Sequence, residues 1–190
     1  DMIWSFVLQI DEELKNVIKN ATYLLLTQGL TYIAPILVLG YLIHTLGVEG
    51  FGMYAITLAV IAYIQVVVDY GFSFSASREI SQNRDNKTKV SNVYFTTTFV
   101  KITICIVCYP IYLVLLSYFV DDIILYYSLN VGYLTVIGNA LFPIWFYQGI
   151  ERLKIVAIIN MLSRLISCLL VFIFVRQMSD VPTAVFVQAA

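Results

Sequence analysis

Residues 123–150 read IILYYSLNVGYLTVIGNALFPIWFYQGI, with no Asp, Glu, Lys or Arg anywhere in the stretch. A helix rises about 1.5 Å per residue, so about 20 apolar residues cross roughly 30 Å of hydrocarbon. Working outward, residues 21–43 are also uncharged, and residues 51–76 carry only Asp69, after an uncharged run to Val68. Residues 93–120 hold one charge, Lys101, and residues 155–175 hold only Arg164. A sixth apolar run opens at Pro182, a residue suited to the first turn of a helix, and the sequence ends within it at Ala190. That run is too short to cross, so the chain reads as the front part of a longer protein.

Composition agrees. The 190 residues are 61% hydrophobic and 12% charged, against about 45–50% and about 25% in soluble domains. Mean hydropathy is +0.87. A soluble domain of about 150 residues leaves roughly 30% of its unfolded surface exposed, and this chain lacks the polar residues to cover such a surface. Lipid is therefore the expected solvent. Lys+Arg total 11 against 12 Asp+Glu, for a net charge of −1, which leaves no basic footprint for nucleic acid. The three cysteines lie within apolar runs and suggest no disulfide framework.

Barrel strands would alternate apolar and polar residues in segments of about 10, and these runs are longer and apolar on all faces. The expected fold is all-α: a polytopic bundle with spans at about 21–43, 51–76, 93–120, 123–148 and 155–175, and an incomplete sixth at 182–190. Residues 1–20 place Ile3, Phe6, Val7, Ile10, Leu14, Val17 and Ile18 at helical spacing opposite Asp11, Glu12, Lys15 and Lys19. They read as an amphipathic leader along the membrane surface or as a loosely ordered one. Residues 47–52, GVEGFG, read as a tight turn between the first two spans; their spacing is wrong for a dinucleotide fingerprint.

Charge sets the orientation. Lys15 and Lys19, the link holding Arg78, Arg84, Lys87 and Lys89, and the link holding Arg152 and Lys154 fall on one side. The opposite links hold only Arg176. By the positive-inside rule the leader and both basic links face the cytoplasm.

An ionisable group at membrane depth costs about 2.5–3.5 kcal/mol on insertion scales, so it faces a cavity or a partner. Arg164 sits mid-span, and Asn160, Arg164, Ser167 and Cys168 share one helical face. That placement points to a cavity wall. Lys101, aligned with Thr97, Cys105, Cys108 and Tyr112, either faces the same cavity or snorkels to the headgroups. Asp69, one turn after Gln65, is either a partner that ties the bundle to a basic residue or a protonation site. Asn139, Thr135 and Asn130 add polar positions to the fourth span, and Thr27, Gln28 and Thr31 to the first, below Pro35, where a kink is expected. Ser and Thr at such positions more often join helices than hold ligands. Cys105 and Cys108 form a C-x-x-C without nearby His, which points away from a metal site. His44 reads as interfacial. Trp145, Phe146 and Tyr147 read as an interfacial aromatic belt, or more boldly as a sugar-stacking surface. Together these positions describe a bundle around a hydrated, electropositive cleft. Such a cleft suits an anion, and Arg pairs bidentately with phosphate oxygens.

Four blocks carry a resemblance: residues 41–54 (YLIHTLGVEGFGMY), 69–72 (DYGF), 75–80 (SASREI) and 141–151 (LFPIWFYQGIE). In order and spacing they resemble the Wzx-type O-antigen flippases of the multidrug/oligosaccharidyl-lipid/polysaccharide exporter superfamily, from Asn20 onward. Gly40 departs from the pattern, standing where a proline is expected. The resemblance implies the amino-terminal lobe of a two-lobe transporter of the bacterial inner membrane, not an enzyme. Its cargo would be an undecaprenyl-pyrophosphate-linked oligosaccharide, handed on to polysaccharide polymerase machinery. It implies no cofactor beyond a proton or sodium gradient. The matching cations are Arg164, Lys101 and Arg78. Beside the resemblance, the polar positions Asn160, Asn139, Gln65 and Gln28 are expected to line the cavity, and Asp69 is the candidate proton carrier if an ion gradient drives return. Two other readings stand beside it. A drug or organic-cation exporter predicts acidic cavity groups, and a membrane glycan polymerase or transferase predicts a large outer loop or a carboxylate pair.

Overall fold

A computed structural model gives the backbone of residues 2–189 and the side chains of residues 35–188. The leader's side chains, Thr27, Gln28 and Thr31 lie outside the described residues. Helices carry the whole described architecture: α1 (Met2–Asp69), α2 (Phe72–Gln82), α3 (Lys87–Phe119), α4 (Ile123–Leu141), α5 (Ile144–Gly149), α6 (Leu153–Phe174) and α7 (Val181–Ala189), with a 3-10 turn at Met178–Asp180. Among the described residues, four helical segments are long and apolar enough to cross a membrane: Pro35–Asp69, Lys87–Phe119, Ile123–Gly149 and Leu153–Phe174. The chain is a multi-pass membrane helix bundle.

The breaks fall differently from the sequence expectation. Within the described part of α1, only Gly47 leaves helical geometry (φ 70, ψ 178), so the expected 47–52 turn shrinks to one residue. Glycine tolerates that positive φ without a Cβ penalty. Pro35 leaves the helix assignment unbroken. The second expected span, 51–76, is divided at Tyr70-Gly71, where φ is 40 and 79. The fourth, 123–148, is divided at Phe142-Pro143, with Phe142 extended (φ −89, ψ 104). A residue before proline is pushed out of the α region, and proline cannot donate to the preceding turn. Elsewhere the caps are local: Asp122 accepts from the Leu125 N–H at 2.8 Å, and Asn86 accepts from the Lys89 N–H at 3.1 Å.

Three buried clusters organise the bundle. Leu42, Leu46, Tyr54, Val171, Val175 and Val185 join α1, α6 and α7, reinforced by the Tyr41 hydroxyl donating to the Val175 carbonyl at 2.8 Å. Ile61, Val68, Cys105, Tyr112, Leu129, Tyr133 and Val136 join α1, α3 and α4. There a Cβ on Gly132 would stand 2.9 Å from Ile61 and 3.1 Å from Thr57, so glycine is what lets α1 and α4 approach. Small residues at such crossings are the usual device where lipid offers no hydrophobic drive. The third cluster, Ala76, Ile80 and Trp145 with Val93, Tyr94 and Phe146, joins the two short helices α2 and α5 to the start of α3. Large apolar side chains such as Val66, Phe99, Ile106 and Val114 are exposed, as expected of surfaces facing lipid.

Candidate functional site: a cationic cleft and a buried ion pair

α6 holds the residues that the 3.6-residue period places on one face. Asn160, Arg164, Ser167 and Cys168 all line one cleft of about 700 Å³. Its other walls come from Pro35 and Val38 of α1, Thr135, Gly138 and Asn139 of α4, Phe142 and Ile144 at the break between α4 and α5, and Gln188 of α7. Arg164 is exposed toward this space. A guanidinium set among carboxamides and hydroxyls can grip an anionic group and hydrogen-bond neutral hydroxyls beside it.

Lys101 occupies a different setting. It is 3% exposed, which rules out snorkelling in this structure. Its ammonium pairs with Asp69 Oδ1 and donates to Ser73 Oγ at 2.9 Å. Ser73 in turn donates to Asp69 Oδ1 at 2.6 Å, closing a three-membered ring of partners. The Trp145 ring centroid lies 5.9 Å from the ammonium, within cation–π range. Trp145 is itself buried, so its face is turned to Lys101 and the stacking surface imagined for a sugar is reduced to Phe146 and Tyr147. A cavity of about 190 Å³ beside the pair is lined by Gln65, Asp69, Ser73, Lys101 and Asn139. Asn139 is thus shared with the large cleft. Arg78 is exposed on α2 and is not among the residues lining either space.

The two basic links meet. Arg84 donates through Nε to the Gly149 carbonyl at 2.9 Å, satisfying an end of α5 that has no further helical partner. The same side chain reaches Glu151 at 2.7 Å. That hydrogen bond raises the Arg84 guanidinium above its ordinary value and holds the Glu151 carboxyl below the usual carboxylate range. The contact puts the Arg78–Lys89 and Gly149–Lys154 links at the same end of the bundle, as the charge count anticipates.

Residues 17–190 match the family of polysaccharide biosynthesis proteins. The chain belongs to that family. Among the relatives of this polysaccharide biosynthesis protein is one from Escherichia coli (strain K12), 33% identical over 90% of the chain and 41% of the relative. Another, from Shigella dysenteriae, is 31% identical over 90% of the chain and 42% of the relative. A third, from Shigella flexneri, is 32% identical over 60% of the chain and 26% of the relative. All three bear the name "Putative O-antigen transporter". The chain spans about two fifths of the length of the first two. No solved structure matches it significantly. The resemblance carried by the four sequence blocks therefore holds at the level of the family.

Two residues of this family member escape a reading of the sequence alone. Ser73 is one serine among several after Asp69; its i+4 spacing from Asp69 was the available signal, and the approach of α3 is what sets its hydroxyl beside Lys101. Gln188 enters the cleft because α7 packs on α4 and α1. Cys105 of the C-x-x-C belongs to a tyrosine network: the Tyr133 hydroxyl donates to the Cys105 carbonyl at 2.7 Å, and the Tyr112 hydroxyl donates to the Leu129 carbonyl at 2.8 Å. These bonds tie α3 to α4.

Proposed function

We propose that this chain forms the substrate-bearing lobe of a flippase that carries an undecaprenyl-pyrophosphate-linked O-antigen oligosaccharide across the bacterial inner membrane. The amino terminus is on the cytoplasmic side. The single observation that carries the reading is Arg164 on the wall of a cleft of about 700 Å³ within helices apolar enough to cross a membrane. The pyrophosphate sits against Arg164, the sugar hydroxyls meet Asn139, Asn160, Ser167 and Gln188, and the polyprenyl tail stays in lipid. The unfavourable step is drawing charge and hydroxyls through hydrocarbon, which a fixed cation and polar walls offset. Alternating access, by rocking of this lobe against a partner lobe, moves the opening from one side to the other. The cargo leaves chemically unchanged, for polymerase machinery on the far side. Arg164 is the only charged side chain among the described lining residues of the cleft, whereas a cleft for organic cations would carry carboxylates.

An ion gradient drives the cycle in this scheme, with Asp69 as the proton carrier. A proton there removes the charge that holds Lys101. Asp69→Asn is expected to alter the pH dependence of transport; full transport with an unchanged pH profile removes the carrier role. The cleft itself is tested by Arg164→Ala and Arg164→Glu in a complementation assay for O-antigen assembly, with membrane insertion checked in parallel. Loss of assembly with intact insertion is expected, and wild-type polymer lengths in both variants would refute the assignment.

A further inference from the structure

Two helices of this bundle stop short, and both stop beside the same ammonium. α1 ends at Asp69, and its continuation restarts as α2 after Tyr70-Gly71; α4 ends at Leu141, and its continuation restarts as α5 after Phe142-Pro143. Tyr70 is a bulky residue at φ 40, a conformation held only when surrounding contacts insist on it. Lys101 of α3 supplies such contacts to both breaks: Asp69 and Ser73 stand on either side of the first, and Trp145 stands in the first turn after the second. Beyond the breaks, α2, α5 and the start of α3 share their own core of Ala76, Ile80 and Trp145. Gly149 lies so close to α2 that a Cβ there would stand 2.7 Å from Ile80, and Arg84 clips the far edge to Glu151. This end of the bundle is packed as one body, joined to the rest through two sharp breaks, one long helix and the short link of residues 150–152 into α6.

We propose that Lys101 is a positioning residue, the pin that fixes this end body against the remainder of the bundle, and that it does not itself grip the transported anion. Its charge is answered by Asp69 and two of its three N–H donors by Asp69 and Ser73, and the cavity of about 190 Å³ that it borders is lined by that same carboxylate, which repels an anion. An anion-binding lysine would instead need its ammonium turned into the cleft that Arg164 lines, and Lys101 is not among that cleft's lining residues.

The test uses spin labels on the protein in lipid nanodiscs, at Tyr63→Cys in α1 and Phe74→Cys in α2, after replacement of the native cysteines. Both sites are exposed, at 77% and 84%, and they straddle the first break. A narrow distance distribution is expected in the parent. Lys101→Met or Asp69→Asn alone broadens it and lowers downhill flipping in proteoliposomes without an ion gradient about tenfold or more, because each leaves one charge within the apolar helices unanswered, a half-buried carboxylate in the first and a buried ammonium in the second. The double neutral variant Asp69→Asn with Lys101→Met, and the swap Asp69→Lys with Lys101→Asp, restore a narrow distribution, and downhill flipping, which needs no proton carrier, returns to within about threefold, as expected of coupled neighbours. An unchanged distribution in Lys101→Met overturns the pin, as does a broad one in both doubles. Narrow distances in the doubles with downhill flipping still as low as in Lys101→Met alone overturn the claim that Lys101 leaves the anion untouched. The transport arm rests on the flippase reading and the distance arm does not, so failure of one is separable from failure of the other.

Discussion

Arg164 and Lys101 are both cations within apolar helices, and the bundle treats them oppositely. Arg164 is exposed on the wall of the largest cleft described. Lys101 is 3% exposed and bound to a carboxylate, a hydroxyl and an indole face. Arginine keeps its charge at any working pH and offers a fork suited to phosphate, whereas a lysine ammonium is a compact point charge that suits one close partner. Position decides the rest. Arg164 shares its face with Asn160, Ser167 and Cys168, while Lys101 sits level with two helix ends. A charge at membrane depth can therefore stand on a cleft wall or be fixed inside the protein, and the surroundings separate the two.

Substitutions can break this contrast. The largest effect is expected for Arg164→Glu: O-antigen assembly is abolished while thermal unfolding in detergent stays close to the parent. A large loss of stability with this variant would place Arg164 in the same class as Lys101. Next comes Lys101→Met, which strands the Asp69 carboxylate; breaking a buried pair costs about 3–5 kcal/mol, and the low end is expected because the Asp69 side chain is 36% exposed. A melting temperature equal to the parent's would mean that the pair holds nothing. Gly132→Val forces a Cβ into Ile61 and Thr57, and overpacking of this kind costs about 1–3 kcal/mol. Unfolding measurements on that variant calibrate how much of the stability lies in the α1–α4 seam rather than in the ion pair. The smallest effect belongs to the exposed Arg84–Glu151 contact. The Glu151 carboxyl is depressed in the folded protein, so its contribution is full above the usual carboxylate range and fades as pH falls through the depressed value. The difference in melting temperature between the parent and Arg84→Ala should shrink in acid to the part that the Gly149 carbonyl bond supplies; a difference unchanged by acid would assign nothing to the Glu151 contact.

The sequence made one of these two cations easy to place. Four residues at spacing four, three and one, Asn160, Arg164, Ser167 and Cys168, define a face of α6 from the sequence alone, because helical periodicity is local. The partner of Lys101 lies 32 positions away, and periodicity on α3 says only that the ammonium must face something. The reading of Asp69 as a tie to some basic residue was open on sequence grounds, but which basic residue depends on how three helices meet. The breaks are intermediate. Pro143 and Gly71 are visible signals, yet both sit inside apolar runs whose length favours an uninterrupted span, and hydropathy outweighs a single residue in such a reading. Gly132 was legible only as one apolar position among many, since its role is defined by what a methyl group would strike on another helix.

That glycine has a mechanical corollary. Two backbones that touch across a missing side chain cannot slide past each other without one climbing over the other's ridges, so α1 and α4 travel together like a single plank. The wall that these two helices give the cleft, from Val38 to Thr135 and Asn139, is therefore a single piece. One wall of the cleft that Arg164 also lines is thus set by an absence one methyl wide.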